Sequence, residues 1–198
     1  MAACPPAFDF TAAMRGLCDD VCHRVPEFQH VKMDQVAVTF AQTRRRVLHG
    51  LQAKLTPLRF EEGRLVTRRG RTEWTVRRIF DGDREVLYIL TFYLPRFFDL
   101  PFREKLITVF HELYHISPDF NGDIRRFAGR YHVHSARHDE YDREMGRVAD
   151  EYMAGRPSAR HWAFLQYDFE TLQSLHGQVI GVRLPVPRMV RLPAARSA

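Results

Sequence analysis

Phe110-His111-Glu112-Leu113-Tyr114-His115-Ile116 is the stretch that decides how the rest of the chain is read. It has the form H-E-x-x-H. Leu106, Val109, Phe110 and Leu113 recur at helical spacing around it, which places it on an amphipathic helix. Two histidines four residues apart stand one above the other on one helix face, with roughly 5–6 Å between Cβ atoms. Both imidazoles then reach a single ion, since Zn–N bonds are about 2.0–2.1 Å. Glu112 projects about 100° round the axis from His111. That sets it beside the ion, where it can take a proton from a metal-activated water.

Catalytic zinc keeps three protein ligands and one open position. The third donor must come from another segment. Histidine is concentrated just after the helix, at His132, His134 and His138. Alternation along an extended chain puts His132 and His134 on the same side, so one of them at most ligates; His134 ranks first and His132 second. Glu140, Glu144 and Glu151 on the following helical stretch form a rival set. Pro118 stands where the longer H-E-x-x-H-x-x-G-x-x-H motif has its glycine, which argues against a metzincin. The chemistry expected is hydrolysis of a peptide bond, with Glu112 as general base passing the water proton to the leaving nitrogen. Tyr131, Tyr141, Arg125, Arg126 and Arg130 are candidate oxyanion donors. Asp119 and Asp123 could accept an N–H from a ligand imidazole, or simply shape a turn.

Working outward, Val86–Leu94 is the most apolar stretch, β-branched and aromatic, and reads as a central or near-edge strand. If that strand, or a neighbour, has a free edge, an extended peptide could add to it beside the cleft. Pro101 opens the metal helix, with Asp99 as its expected cap, and Pro118 stops it. Upstream, Phe8–Val25 carries Phe10, Met14, Leu17 and Val21 at helical spacing, with Asp9 or Thr11 to cap it. Val36–Ala41 and Ala53–Phe60 read as strands, the second bent at Pro57. Leu65–Phe80 suggests a twisted basic hairpin, and Asp81-Gly82-Asp83 a turn.

Downstream, Tyr141, Met145, Val148, Ala149 and Tyr152 mark one face of a helix over Glu140–Met153. His161–Leu175 reads as a further short helix and Val179–Leu184 as a last strand. The fold class expected is α+β: a small, twisted, mostly antiparallel sheet packed on the H-E-x-x-H helix and further helices. Residues 1–198 form one domain in this reading, with a core at about 8–184 and a flexible tail over 185–198.

Composition narrows the classes. A hydrophobic fraction of 45% and a charged fraction of 27% suit a folded domain rather than a disordered chain. The odd cysteine count, Cys4, Cys18 and Cys22, makes no disulfide framework, so reduced thiols on a helix are expected. The N-terminus lacks a basic segment followed by an apolar one, and no apolar run reaches 18 residues. These features suggest a cytoplasmic protein without a membrane span. The net charge is 30 − 24 = +6. Arginine clusters at 44–46, 68–71 and 125–126 leave a second reading, a scaffold that binds nucleic acid or a protein partner and whose metal would then be structural or vestigial.

Tyr93-Leu94-Pro95-Arg96-Phe97, Glu104-Lys105-Leu106 and His111–Pro118 with Asn121-Gly122-Asp123 resemble the metallopeptidase family found in phages and bacteria. Gly129-Arg130-Tyr131 and His134-Ser135 also fit that pattern. The resemblance spans roughly residues 36–155 and implies a gluzincin-like or SprT-like minimal zincin. It further implies a zinc cofactor, a three- or four-stranded sheet backed by helices, and a peptidase-type activity on protein or peptide substrates. Many SprT-like proteins carry a C-terminal zinc ribbon; the chain departs from them, having no cysteine after Cys22.

Overall fold

Asp9 joins the first two elements. It closes β1 (Phe8–Asp9) and caps α1 (Phe10–Arg24), its carboxylate accepting the Ala12 N–H at 3.0 Å. A helix N-terminus leaves its first N–H groups without intrahelical partners, and a short acidic side chain satisfies one of them. Phe10, Met14, Leu17 and Val21 face the core, as their spacing predicts, with Cys18 and Cys22 between them as buried free thiols. The computed structural model describes residues 6–43, 50–126 and 138–193, the side chains of 138–142 excepted.

The chain continues through β2 (Val36–Gln42), β3 (Ala53–Pro57), β4 (Val66–Arg69), β5 (Thr72–Val76), β6 (Ile79–Asp81), β7 (Arg84–Val86) and β8 (Tyr88–Leu94). Then come α2 (Phe102–Tyr114), α3 (His138–Ala154), α4 (Ala159–Trp162), α5 (Phe169–His176), β9 (Val179–Ile180) and β10 (Met189–Arg191). The class is mixed α+β, as expected. Among the described residues the strands form four small sheets instead of one: β2-β8-β3, β10-β5-β4, β6-β7 and β1-β9.

The three-stranded sheet β2-β8-β3 organises the centre. β8 is parallel to β2 and antiparallel to β3. Six of its seven residues are buried, which explains why it reads as a nearly unbroken apolar run. Thr39 and Thr91, buried between β2 and β8, share a hydroxyl contact at 3.0 Å. Flanked on both sides, β8 has no free edge, so of the two alternatives expected, that strand or a neighbour, only a neighbour can take an added peptide, and β3 is the edge strand beside α2.

α2 packs with α1, α3 and the central sheet into one core, through Leu106, Val109, Phe110 and Leu113. Phe110 meets Phe28 and Tyr152 edge-on, at 5.6 and 5.7 Å between ring centroids. Burying each such side chain contributes about 1.5–3 kcal/mol. Pro101 itself occupies the N-cap, so the expected Asp99 cap is not used. Lys105 breaks the apolar pattern of the buried face. Its ammonium donates to the carbonyls of Leu165 (3.0 Å) and Tyr167 (2.7 Å), and burial lowers its pKa to about 8.

The Leu65–Phe80 hairpin is present as β4–β5, turning at Gly70 (φ +61°). The segment expected as one helix over His161–Leu175 is divided into α4, a 3-10 turn and α5. The last strand is shorter than expected, with β9 pairing parallel to β1. Within the stretch expected as a loose tail, Met189–Arg191 pairs antiparallel with β5. Among the described residues, no helix is long and apolar enough to cross a membrane.

Candidate metal centre

α2 ends at Tyr114, but His115 keeps right-handed helical angles (φ −67°, ψ −14°), so it stays in register with His111. Their ring centroids lie 4.7 Å apart with the planes at 73°. Two imidazoles on one tetrahedral zinc have centroids about 5 Å apart, given the usual Zn–N distance. The pair therefore fits a shared ion.

The end of the helix is tied down by the chain returning past it. Ile116 and Ile124 form an isolated antiparallel bridge. The Arg125 N–H donates to the His115 carbonyl at 2.7 Å, and its Nε donates to the Tyr114 carbonyl at 2.7 Å. Its guanidinium lies over the Tyr114 ring at 3.9 Å. A cation here also complements the negative end of the helix dipole.

The intervening turn rests on Tyr88 of β8. The buried hydroxyl accepts the Gly122 N–H and donates to the Asp123 carbonyl, both at 2.9 Å. Gly122 has φ +86°, and a Cβ there would sit 2.5 Å from Arg59 Cγ, so glycine is required. The Asp123 carboxylate accepts from the N–H groups of Glu62 (3.1 Å) and Ile124 (2.8 Å) and from the Arg126 guanidinium. Of its two expected roles, Asp123 thus takes the turn-forming one. Asp119 is exposed in the same turn, its N–H on Ser117 Oγ at 3.3 Å.

Glu112 faces the sheet edge. Its Oε2 accepts the backbone N–H of Leu55 on β3 at 2.6 Å. Burial pushes the carboxyl up to about 7, against the opposing pull of that N–H and of the Lys54 charge. A carboxyl poised near neutrality can both take up and release a proton.

The other expected residues fall in three groups. His132, His134, Arg130 and Tyr131 lie outside the described residues, as do the side chains of His138, Glu140 and Tyr141. Glu144 is exposed and paired with Arg147 at 2.8 Å, and Glu151 pairs with the same arginine. Arg125 and Arg126, two of the candidate oxyanion donors, are engaged with Tyr114 and Asp123 as above. Among the described residues, no group of three His, Cys, Asp or Glu side chains forms a complete metal site. Leu55, Tyr88 and the helix-latching role of Arg125 are not apparent in the sequence. Each depends on pairing between distant segments or on a backbone path, and neither leaves a local pattern.

A mixed α+β fold thus sets two converging imidazoles and a half-buried glutamate on one helix. Residues 12–163 match the model of the family described as Putative phage metallopeptidase, and the chain belongs to that family. Membership implies a metal cofactor and protein or peptide substrates. No curated protein and no solved structure matches the chain.

Proposed function

We propose that the protein is a zinc-dependent peptidase built on a zincin scaffold, with His111 and His115 as two ligands and Glu112 as general base. The observation that carries this reading is the convergence of the two imidazoles, 4.7 Å between centroids, one helical turn apart with Glu112 between them in sequence. His134 is the first candidate for the third donor, with His132 and then Glu140 behind it. When bound, zinc supplies Lewis acidity that acidifies water and polarises the scissile carbonyl.

The rest is done by the chain. Glu112 Oε takes a proton from the attacking water and returns it to the amide nitrogen as the C–N bond breaks. Its half-buried setting, near neutral pKa, favours both transfers around pH 7. β3 positions the substrate. Its even-numbered residues bond to β8, as the Tyr93 N–H to Gln52 carbonyl and Leu58 N–H to Leu87 carbonyl contacts show. The backbone groups of Ala53 and Leu55 therefore face outward; with the Leu55 N–H held by Glu112, the Ala53 N–H and carbonyl and the Leu55 carbonyl are the groups along which an extended peptide can add.

The test is metal analysis of purified protein beside Glu112→Gln. About one zinc per chain is expected in both, with hydrolysis of an unfolded protein substrate lost in the variant. Equal hydrolysis by the two proteins removes Glu112 from the reaction. Loss of zinc from His134→Ala assigns the third ligand; full retention moves it to His132 or Glu140.

A further inference from the structure

We propose that the sheet β10-β5-β4 is a binding surface for single-stranded nucleic acid, centred on Trp74. The register supplies the arrangement. Trp74 on β5 stands opposite Thr67 on β4 and Arg191 on β10, and Thr72 stands opposite Arg69. Directly opposed residues of an antiparallel pair share a face, and so do residues two apart. Arg69, Trp74 and Arg191 therefore lie on one face, the tryptophan on the middle strand and an arginine on each neighbour.

Trp74 is half-buried and belongs to neither hydrophobic cluster. Its indole N–H has no acceptor among the described residues. Arg69 and Arg191 are exposed, and neither has an ion-pair partner among the described residues; Arg71, in the hairpin turn, is in the same state. Several arginines elsewhere are neutralised, Arg24 by Asp20, Arg84 by Asp34, Arg103 by Asp150 and Arg147 by Glu144. The one acidic residue on β5, Glu73, sits opposite Arg68 and so points to the other face.

Of the three arginine clusters in the sequence, 125–126 is occupied by Tyr114 and Asp123, and 44–46 lies outside the described residues. The remaining cluster, 68–71, gains Arg191 only because β10 returns from the far end of the chain, beyond the family match at 12–163. Planar guanidinium groups take phosphate oxygens in pairs, and an aromatic ring on the same face offers a stacking platform for an unpaired base. A duplex hides its base faces and would leave Trp74 unused.

The experiment is fluorescence anisotropy of a labelled 20-nucleotide oligo-dT with the full chain, titrated from 50 to 200 mM salt. Binding is expected to weaken with a log–log slope of about −2, corresponding to about three phosphates on a single strand. Arg69→Glu with Arg191→Glu should weaken binding at least about tenfold, while the paired lysine replacements retain most of it. Trp74→Leu should weaken it about fivefold or more, leave the salt slope unchanged, and abolish quenching of tryptophan fluorescence by the oligonucleotide. Glu112→Gln should bind like the wild type, which separates this surface from the peptidase reading. Absence of binding at 50 mM salt, or unchanged binding by the charge-reversed pair, overturns the proposal. So does equal affinity for poly-glutamate or for a duplex of the same length. The charge-reversed positions are exposed, so that test stands even if Trp74→Leu fails to fold.

Discussion

The backbone N–H of Leu55 and the carboxylate of Glu112 meet at 2.6 Å although 57 positions separate them in the chain. This contact joins the edge strand to the helix that carries both histidines. Burial at this place disfavours the carboxylate charge and raises its pKa from 4.5 to about 7, the Leu55 N–H pulling the other way.

That shift has a measurable sign in chelated, metal-free protein. A folded pKa above the unfolded value means that the folded state binds the proton more tightly. The contribution is full below pH 4.5 and is lost as pH rises through about 7. Glu112→Gln has no such dependence. Its stability should match the wild type near pH 4 and exceed it by about 1–3 kcal/mol at pH 8. Parallel pH–stability curves from urea denaturation would sink this account of Glu112.

Arg125 should matter to the metal centre without touching the substrate. Arg125→Ala removes the Nε bond to the Tyr114 carbonyl and the cover over its ring. The expected cost is about 1–2 kcal/mol, with metal affinity down about tenfold because His115 loses its support. Arg125→Lys should restore little, since an ammonium reproduces neither the planar stacking nor the Nε geometry. Metal titration with a chromophoric chelator measures the affinity, and unchanged affinity in Arg125→Ala would refute the latch.

Tyr88→Phe deletes the hydroxyl that pairs with both the Gly122 N–H and the Asp123 carbonyl in a buried position. A loss of about 1–3 kcal/mol is expected. Gly122→Ala should cost a similar amount, through its positive φ and the close Arg59 side chain. The double variant should fall short of the sum, because both changes disrupt one turn. Full additivity in denaturation midpoints would show that the two act separately.

Glu85 supplies an acid-side test. The Arg78 guanidinium, then Arg59, hold its carboxyl below the ordinary glutamate range. A depressed folded pKa gives stability that is present above pH 4.5 and lost as pH falls through the folded value. The wild type should therefore exceed Glu85→Gln by about 1–3 kcal/mol at pH 6. The gap should narrow in acid. A gap that stays constant down to pH 3 would exclude the ion pair as its source.

How much of this was legible in the sequence follows from the range of the interactions. The spacing of Phe10, Met14, Leu17 and Val21, the Asp9 cap, and the run that became β8 are local signals, and the structure agrees with each. The His111–His115 juxtaposition is equally local, fixed by helical geometry alone. Which strand borders Glu112 is a different matter. β3 and β8 are both apolar and short, and only the sheet order makes β3 the edge. β10 leaves no local signal, because Met189–Arg191 sits among prolines and is ordered by pairing with β5 over a hundred residues away. Arg125 and Asp123 stand out in the sequence as polar residues just beyond the helix, yet the structure engages Arg125 with Tyr114 and Asp123 with the turn. Which neighbour each would choose depended on the path of the turn, to which their spacing gives no clue.

The two ends of the described chain are zipped together. Phe8 donates to the Gln178 carbonyl, Thr11 Oγ1 accepts the Val182 N–H, and the Phe40 N–H on the outer side of β2 reaches the Val182 carbonyl. Ribosomal synthesis delivers Gln178 and Val182 long after the segments they meet. Until residue 182 has emerged, a nascent chain presents β2 as an open strand edge, the kind of template that recruits a neighbouring polypeptide. Translation that stalls before this point should leave a polypeptide prone to self-association, even with the entire H-E-x-x-H helix already made.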